Sequence, residues 1–191
     1  GFPQLKIELA KDLVEQIPEV DNLLHPEEDM VTLMTKTHQS QIVTIDKTYQ
    51  LLDASSLEAV VYELEKAKHV YLFGVGGSSI VCDDFRHKLM RIGKPASYYP
   101  DIHLQMTFVP AMREEDFAVF ISYSGETKSI VTAAKWAKEM HIPSVAITQS
   151  AYNKLGKLVD HVLTIPSQEQ PLRIGAMSSR YSSLIVVDLL Y

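Results

Sequence analysis

The 191-residue sequence holds a single cysteine, Cys82, so no disulfide can form within the chain. That usage fits a reducing compartment. Positive charge is also short: 18 Lys and Arg stand against 24 Asp and Glu, a formal net charge of −6. Proteins that grip nucleic acid gather Lys and Arg to displace condensed counterions, so the chain as it stands is a poor DNA binder. No run of apolar residues is long enough for a membrane-spanning helix. Gly-Lys-Ser/Thr is absent, which excludes a P-loop. The seven histidines are scattered, without His-x-His, His-Glu-x-x-His or paired cysteines, so neither a metal site nor a cofactor is expected. Internal repeats, low-complexity tracts and Gly/Ser linkers are missing too. The start, Gly1-Phe2-Pro3-Gln4, carries no signal pattern and no initiator methionine, and it reads as a cut inside a longer protein.

What is present suits a globular fold: 46% hydrophobic and 22% charged residues argue against disorder. A chain of this length buries about 70% of its unfolded surface and needs no staple. The first quarter reads as helix, from Gln4 to Gln16 and again from Glu27 to Leu52, which is free of Gly and Pro. In the second helix Val31, Thr35, His38, Ile42, Ile45, Tyr49 and Leu52 alternate steps of four and three. That spacing predicts a packing stripe against the following domain or a second copy. Its two polar members argue against a free coiled coil. Ser55 with Glu58 forms a capping-box pattern and opens a helix through Lys68, with Leu57, Val60, Val61 and Leu64 on one face.

After Lys68 short apolar runs alternate with helical stretches. The runs are His69–Phe73, Ala96–Tyr99, Phe117–Ile121, Ser144–Thr148 and His161–Ile165. Helices are expected at Ser79–Arg91, Ile102–Phe108, Thr127–Met140, Tyr152–Leu158 and Ala176–Tyr191. Strands separated by helices imply an α/β fold with a parallel sheet covered on both faces. For five strands the expected arrangement is the flavodoxin-like order 2-1-3-4-5, which places the ligand crevice beyond strands one and three.

Two loops then meet at that crevice: Gly74-Val75-Gly76-Gly77-Ser78-Ser79 and Ser122-Tyr123-Ser124-Gly125-Glu126-Thr127. Glycines admit close backbone approach. The helices that follow aim free N–H groups and a positive dipole end at the crevice, an anion site. The hydroxyls of Ser122, Ser124 and Thr127 can donate to phosphate oxygens. The plainer readings are that Ser78 and Ser79 cap their helix and that Ser122 and Ser124 are turn residues. A dinucleotide reading has Gly74-x-Gly76 and Asp101 in its favour, but Ser79 fills the third glycine position and the second loop goes unexplained. Cys82 reads as a core residue. His103 reads as a helix-start residue with a local hydrogen bond, or else as an acid or base at the crevice. Arg180 is either a phosphate partner or one half of an interface ion pair.

On GVGGSS at Gly74–Ser79 and ISYSGET at Ile121–Thr127 the chain resembles the sugar isomerase (SIS) domain, a phosphosugar-binding flavodoxin-like module. GFPQLKIELAKDL at the start and SSRYSSLIVVDLLY at the end resemble the RpiR family of bacterial transcription regulators. Most of the specificity lies in SYSGET and in the order of the parts. The resemblance implies that residues 1–54 are a helical linker left from a helix-turn-helix domain and residues 55–191 are the SIS domain. It implies that Ser122, Ser124 and Thr127, with Gly125, hold the phosphate, and that Gly77, Ser78 and Ser79 contact phosphate or sugar. His103, Glu126 and Arg180 are possible further pocket residues. Dimers or tetramers in the cytoplasm are implied as well, with DNA bound only through the absent N-terminal domain. The expected function is a sugar-phosphate sensor, without catalytic residues. An aldose–ketose phosphate isomerase, with Glu126 and His103 as candidate base and acid, is the alternative, and an interaction module with a degenerate pocket is a third.

Overall fold

The computed structural model describes residues 29–166 and 177–191. The helix expected over Gln4–Gln16 lies outside the described residues. Within them the order is α1 (Met30–Leu51), α2 (Ala54–Lys66), β1 (Val70–Phe73), α3 (Gly77–Arg91), β2 (Ala96–Ser97), α4 (Ile102–Met106), a 3-10 turn (Val109–Ala111), β3 (Phe117–Ile121), α5 (Lys128–Glu139), β4 (Ser144–Thr148), β5 (His161–Thr164) and α6 (Ser178–Leu190). The strands form one parallel sheet in the order β2-β1-β3-β4-β5, as expected.

The central strand β3, Phe-Ala-Val-Phe-Ile, is buried along its whole length, because helices cover both faces of the sheet. Its alternate residues enter different cores. Phe117, Val119 and Ile121 join Val60 and Leu64 of α2, Val81 and Phe85 of α3, and Val186 and Val187 of α6. Ala118 and Phe120 join Ile130, Ala133 and Ala137 of α5 on the other side. Phe120 stacks on Phe73 with ring centroids 4.9 Å apart. Cys82 is fully buried in the first core, and burial pushes its thiol up.

Three expectations need correction. The capping box at Ser55 does not form: Asp53 is the N-cap of α2, its carboxylate accepting from Ser56 N–H and from the hydroxyls of Ser55 and Ser56. No helix runs over Tyr152–Leu158. Turns replace it, because Leu155 N–H donates to Gly125 O and Gly156 N–H to Asn153 Oδ1, so those donors do not build a helical ladder. Of the two partners expected for the stripe on α1, the following domain or a second copy, the domain is the one the structure rules out for all but its last member. Val31, Ile42, Ile45 and Tyr49 are exposed, and only Leu52 reaches the core. The opposite, hydroxyl-bearing face packs on α6. There Thr44 and Thr48 are buried, the Thr48 hydroxyl lies 2.8 Å from that of Ser182, and Gln41 Nε2 donates to Tyr181 Oη at 3.2 Å. The serines of α6, Ser178, Ser179, Ser182 and Ser183, are all buried, and small side chains let the two helices approach closely.

Candidate functional site

Strands β1 and β3 are adjacent and parallel, so the loops that leave their carboxyl ends start side by side. Gly74, just past β1, lies against the β3 end. A Cβ built on it would meet Cys82 Sγ at 2.6 Å, Ile121 O at 3.2 Å and Ser78 O at 3.2 Å. Side-chain-free backbone is therefore what lets the first loop nest against the second.

The β3 loop is a tight turn. Gly125 N–H donates to Ser122 O at 3.1 Å, and Gly125 has φ +65°, the left-handed region that glycine tolerates. The turn brings the hydroxyls of Ser122 and Thr127 to 3.3 Å from each other, while Ser124 Oγ accepts from Glu126 N–H at 3.2 Å. Thr127 is the N-cap of α5, yet its side chain makes no capping bond. In the β1 loop the N-cap of α3 is Gly76, with φ +61° and nothing to cap with, and Gly77, Ser78 and Ser79 form the first turn of the helix. The reading of Ser78 and Ser79 as N-caps is thus corrected: both lie inside the helix. Two helices accordingly start at the same sheet edge without a side-chain cap. In α3 the Ser78 and Ser79 N–H groups donate to Val75 O and Gly76 O, and α5 starts beside the Ser122 and Thr127 hydroxyls.

Each loop is braced from its outer neighbour. Behind the β1 loop, the buried Gln105 of α4 accepts from Gly74 N–H at 3.0 Å and donates to Gly74 O at 2.9 Å, and Tyr98 Oη donates to Gly74 O at 3.3 Å. Burial above all pushes the Tyr98 phenol up to about 12. Behind the β3 loop, Asn153 Nδ2 donates to Thr148 Oγ1 at 2.7 Å, and the Thr148 hydroxyl donates to Tyr123 O at 3.1 Å. A Cβ on Gly125 would lie 2.1 Å from Asn153 Cγ. None of Gln105, Tyr98 and Asn153 stood out in the sequence. A side chain that bonds to backbone leaves no periodic sign, and the one available signal was a carboxamide within the first residues after strands two and four.

Among the described residues, no hydrogen bond or ion pair ties the side chains of the remaining candidates, His103, Glu126 and Arg180, to the other residues of the two loops. His103 is exposed on α4, and its backbone N–H donates to Asp101 Oδ1 at 2.7 Å. Asp101 also accepts from Leu104 N–H, so it is the cap of α4, and the dinucleotide reading loses its ribose acid. Glu126 turns outward to the segment after β4. It accepts from Lys154 N–H at 3.1 Å and pairs with Lys154 Nζ at 2.7 Å, bonds that hold its carboxyl below the usual range. Arg180 lies on α6 with its guanidinium 5.6 Å from the Tyr181 ring. Among the described residues no group of three or more His, Cys, Asp or Glu could hold a metal ion, and no helix is long and apolar enough to cross a membrane.

The SIS domain family model matches residues 63–191. The chain belongs to the SIS domain family. Among relatives of this SIS domain, an HTH-type transcriptional regulator of Caldanaerobacter subterraneus is 35% identical over all of this chain and 68% of its own length. The HTH-type regulator HexR of Escherichia coli is 31% identical over all of this chain and 65% of its own. Among solved structures, the Vibrio vulnificus NanR protein complexed with ManNAc-6P matches with a TM-score of 0.79 and 32% identity, covering 83% of this chain and 60% of that one. These relatives place the SIS domain among those of HTH-type transcriptional regulators. A phosphoheptose isomerase from Francisella tularensis shares the fold, at 18% identity and a TM-score of 0.70. The chain spans about two thirds of the length of the regulators it matches.

Proposed function

We propose that this SIS domain is the effector-binding part of a sugar-phosphate-responsive transcription regulator. The observation that carries the reading is the pairing of two hydroxyl-bearing loops at adjacent strand ends, each opening a helix without a side-chain cap. In it the phosphate accepts from the hydroxyls of Ser122, Ser124 and Thr127 and from the first-turn N–H groups of α5, with Gly125 shaping the turn beside it, and Gly77, Ser78 and Ser79 meet phosphate or sugar. Hydrogen bonds to a charged group contribute roughly 1.5–3 kcal/mol each net. Four of them give roughly 6–12 kcal/mol before ordering costs, enough for micromolar to millimolar binding. NanR, solved with ManNAc-6P, supports the ligand class. His103 and Arg180 are left as secondary pocket candidates.

The regulator would act in the cytoplasm as a dimer or tetramer, residues 1–54 joining the sensor to a helix-turn-helix head and residues 55–191 binding the ligand. The outward stripe of Val31, Ile42, Ile45 and Tyr49 on α1 is the surface a second copy would cover. Binding of the sugar phosphate would shift the balance between two arrangements of the copies, and α1 would carry that shift to the heads.

The isomerase alternative needs a base near the carbon acid. Glu126, its candidate, is engaged by Lys154, which counts against it. A thermal-shift panel of hexose and amino-sugar phosphates tests the pocket: stabilisation should disappear in Ser124→Ala/Thr127→Val, and shifts equal to those of the unmodified chain would overturn the assignment. Following aldose–ketose interconversion by NMR tests the class, because turnover at ordinary enzyme rates would replace the sensor with an isomerase.

A further inference from the structure

We infer that Gln105 is a positioning residue for the sugar-phosphate pocket, its carboxamide standing in for the missing continuation of β2 and fixing the turn that opens α3. The inference rests on the pocket reading above and adds to it a residue that touches no ligand.

The argument starts from the sheet edge. Strand β2 pairs with β1 only through Val70 with Ala96 and Tyr71 with Ser97, then leaves the sheet. Beyond that point β1 has no strand on its outer side. In an extended strand the N–H and C=O of one residue point the same way, so Gly74 turns both groups toward the missing neighbour. Buried backbone groups without partners are costly, and something must meet them. Gln105 does. A carboxamide carries the same donor and acceptor as a peptide group, and this one faces Gly74 as a strand residue would: Oε1 accepts from Gly74 N–H and Nε2 donates to Gly74 O. The second Nε2 proton goes to Tyr99 O at 2.8 Å, which ties the same amide to the chain just after β2. The side chain has no exposed surface, and both of its amide protons are used.

Gly74 has nowhere else to go. Cys82 Sγ, Ser78 O and Ile121 O hem its Cα, and Tyr98 Oη shares its carbonyl. The residues that follow, Val75 to Ser79, run directly into the first turn of α3. The placement of α4 is therefore transmitted through one amide to the glycines and serines that would meet the ligand. Glutamate cannot replace it when ionised, because a carboxylate accepts and does not donate. Methionine fills the space and makes none of the three bonds.

The full chain carrying Gln105→Met tests this in two ways. Amide hydrogen exchange without ligand should quicken about tenfold over Val75–Ser79 and stay as it was over Tyr123–Thr127. Titration with ManNAc-6P should show affinity about tenfold weaker. A remote core variant, Leu163→Ala, should lower thermal stability and keep the original affinity, which separates positioning from general weakening. Gln105→Glu adds a pH signature. Its affinity relative to the unmodified chain should be low at about pH 7.5 and recover toward about pH 5, as the buried carboxyl gains a proton and can donate again. Should Gln105→Met fail to fold, the pH series on Gln105→Glu decides. Unchanged exchange over Val75–Ser79, original affinity in a folded variant, or a pH-independent ratio for Gln105→Glu would each overturn the role. If no sugar phosphate stabilises the unmodified chain, the pocket reading fails, and the exchange measurement still decides whether Gln105 positions the turn.

Discussion

Helix starts in this molecule come in two kinds. Helices α1, α2 and α4 each begin at an aspartate, Asp29, Asp53 and Asp101, whose carboxylate accepts from first-turn N–H groups. Helices α3 and α5 begin at Gly76 and Thr127, and neither side chain caps them. The first kind satisfies its N-terminal donors locally and needs no partner. The second has no side-chain partner for them. In α3 the Ser78 and Ser79 N–H groups turn instead to Val75 O and Gly76 O, while in α5 the first-turn donors have no such bond among the described residues. Both helices start at the carboxyl edge of the sheet, side by side. Helix α6 also starts without a side-chain cap, at Met177, so it is the missing cap together with a place at the carboxyl ends of β1 and β3 that sets α3 and α5 apart.

The sharpest way to break that comparison is Gly125→Ala. The residue has φ +65° and its Cβ would lie 2.1 Å from Asn153, so the turn ahead of α5 must deform. We expect a loss of about 2–4 kcal/mol in urea unfolding and no thermal shift with ManNAc-6P. Next comes Thr127→Asp, which converts an uncapped start into a capped one. It should leave the free chain as stable as before or more so by about 0.5–1 kcal/mol, while the new carboxylate takes the donors and repels phosphate, abolishing the ligand's thermal shift. A retained shift would mean that the open donors of α5 are not the binding feature. The reverse change, Asp53→Ala, should lower the melting temperature by roughly 2–4 °C and leave ligand affinity untouched.

The smallest effect is acid sensitivity. Hydrogen bonds from Thr32 lower the carboxyl of Asp29, and those from Ser55 and Ser56 lower that of Asp53, each from a starting value of 3.8. A group lowered on folding contributes stability that is present above its unfolded value and is lost as pH falls through its folded value. Circular dichroism between about pH 5 and about pH 2 should therefore show Asp29→Asn and Asp53→Asn chains losing helix less steeply with acid than the unmodified chain.

How far all this was legible in the sequence depended on how many faces each element buries. Strands β3 and β4 have the bounds the apolar runs indicated, because a strand covered on both faces shows as a continuous run. Strand β2 is shorter than Ala96–Tyr99, since Tyr98 and Tyr99 leave the ladder and the Gln105 amide takes over beside Gly74. On α1 periodicity found a genuine stripe and could not say which way it faced. The partner helix α6 presents serines, so the inward face of α1 carries threonines, and hydrophobicity pointed to the outward side. At the site, the two loops were evident from their glycines and hydroxyls. Their braces, Gln105 and Asn153, were not, because polar side chains that bond to backbone are recognisable only once the distant backbone is in place.

The joint between α1 and α6 has a consequence for exchange of parts. Interlocking aliphatic side chains tolerate neighbouring settings of similar volume, whereas the Thr48 and Ser182 hydroxyls meet at one register and one rotation. A foreign head spliced ahead of Asp29 would inherit that angular setting from the joint and not from its own sequence. Chimeric regulators that keep Gln41, Thr44 and Thr48 against α6 should stay in phase, and those that replace the three with larger aliphatics should turn the head to a new bearing.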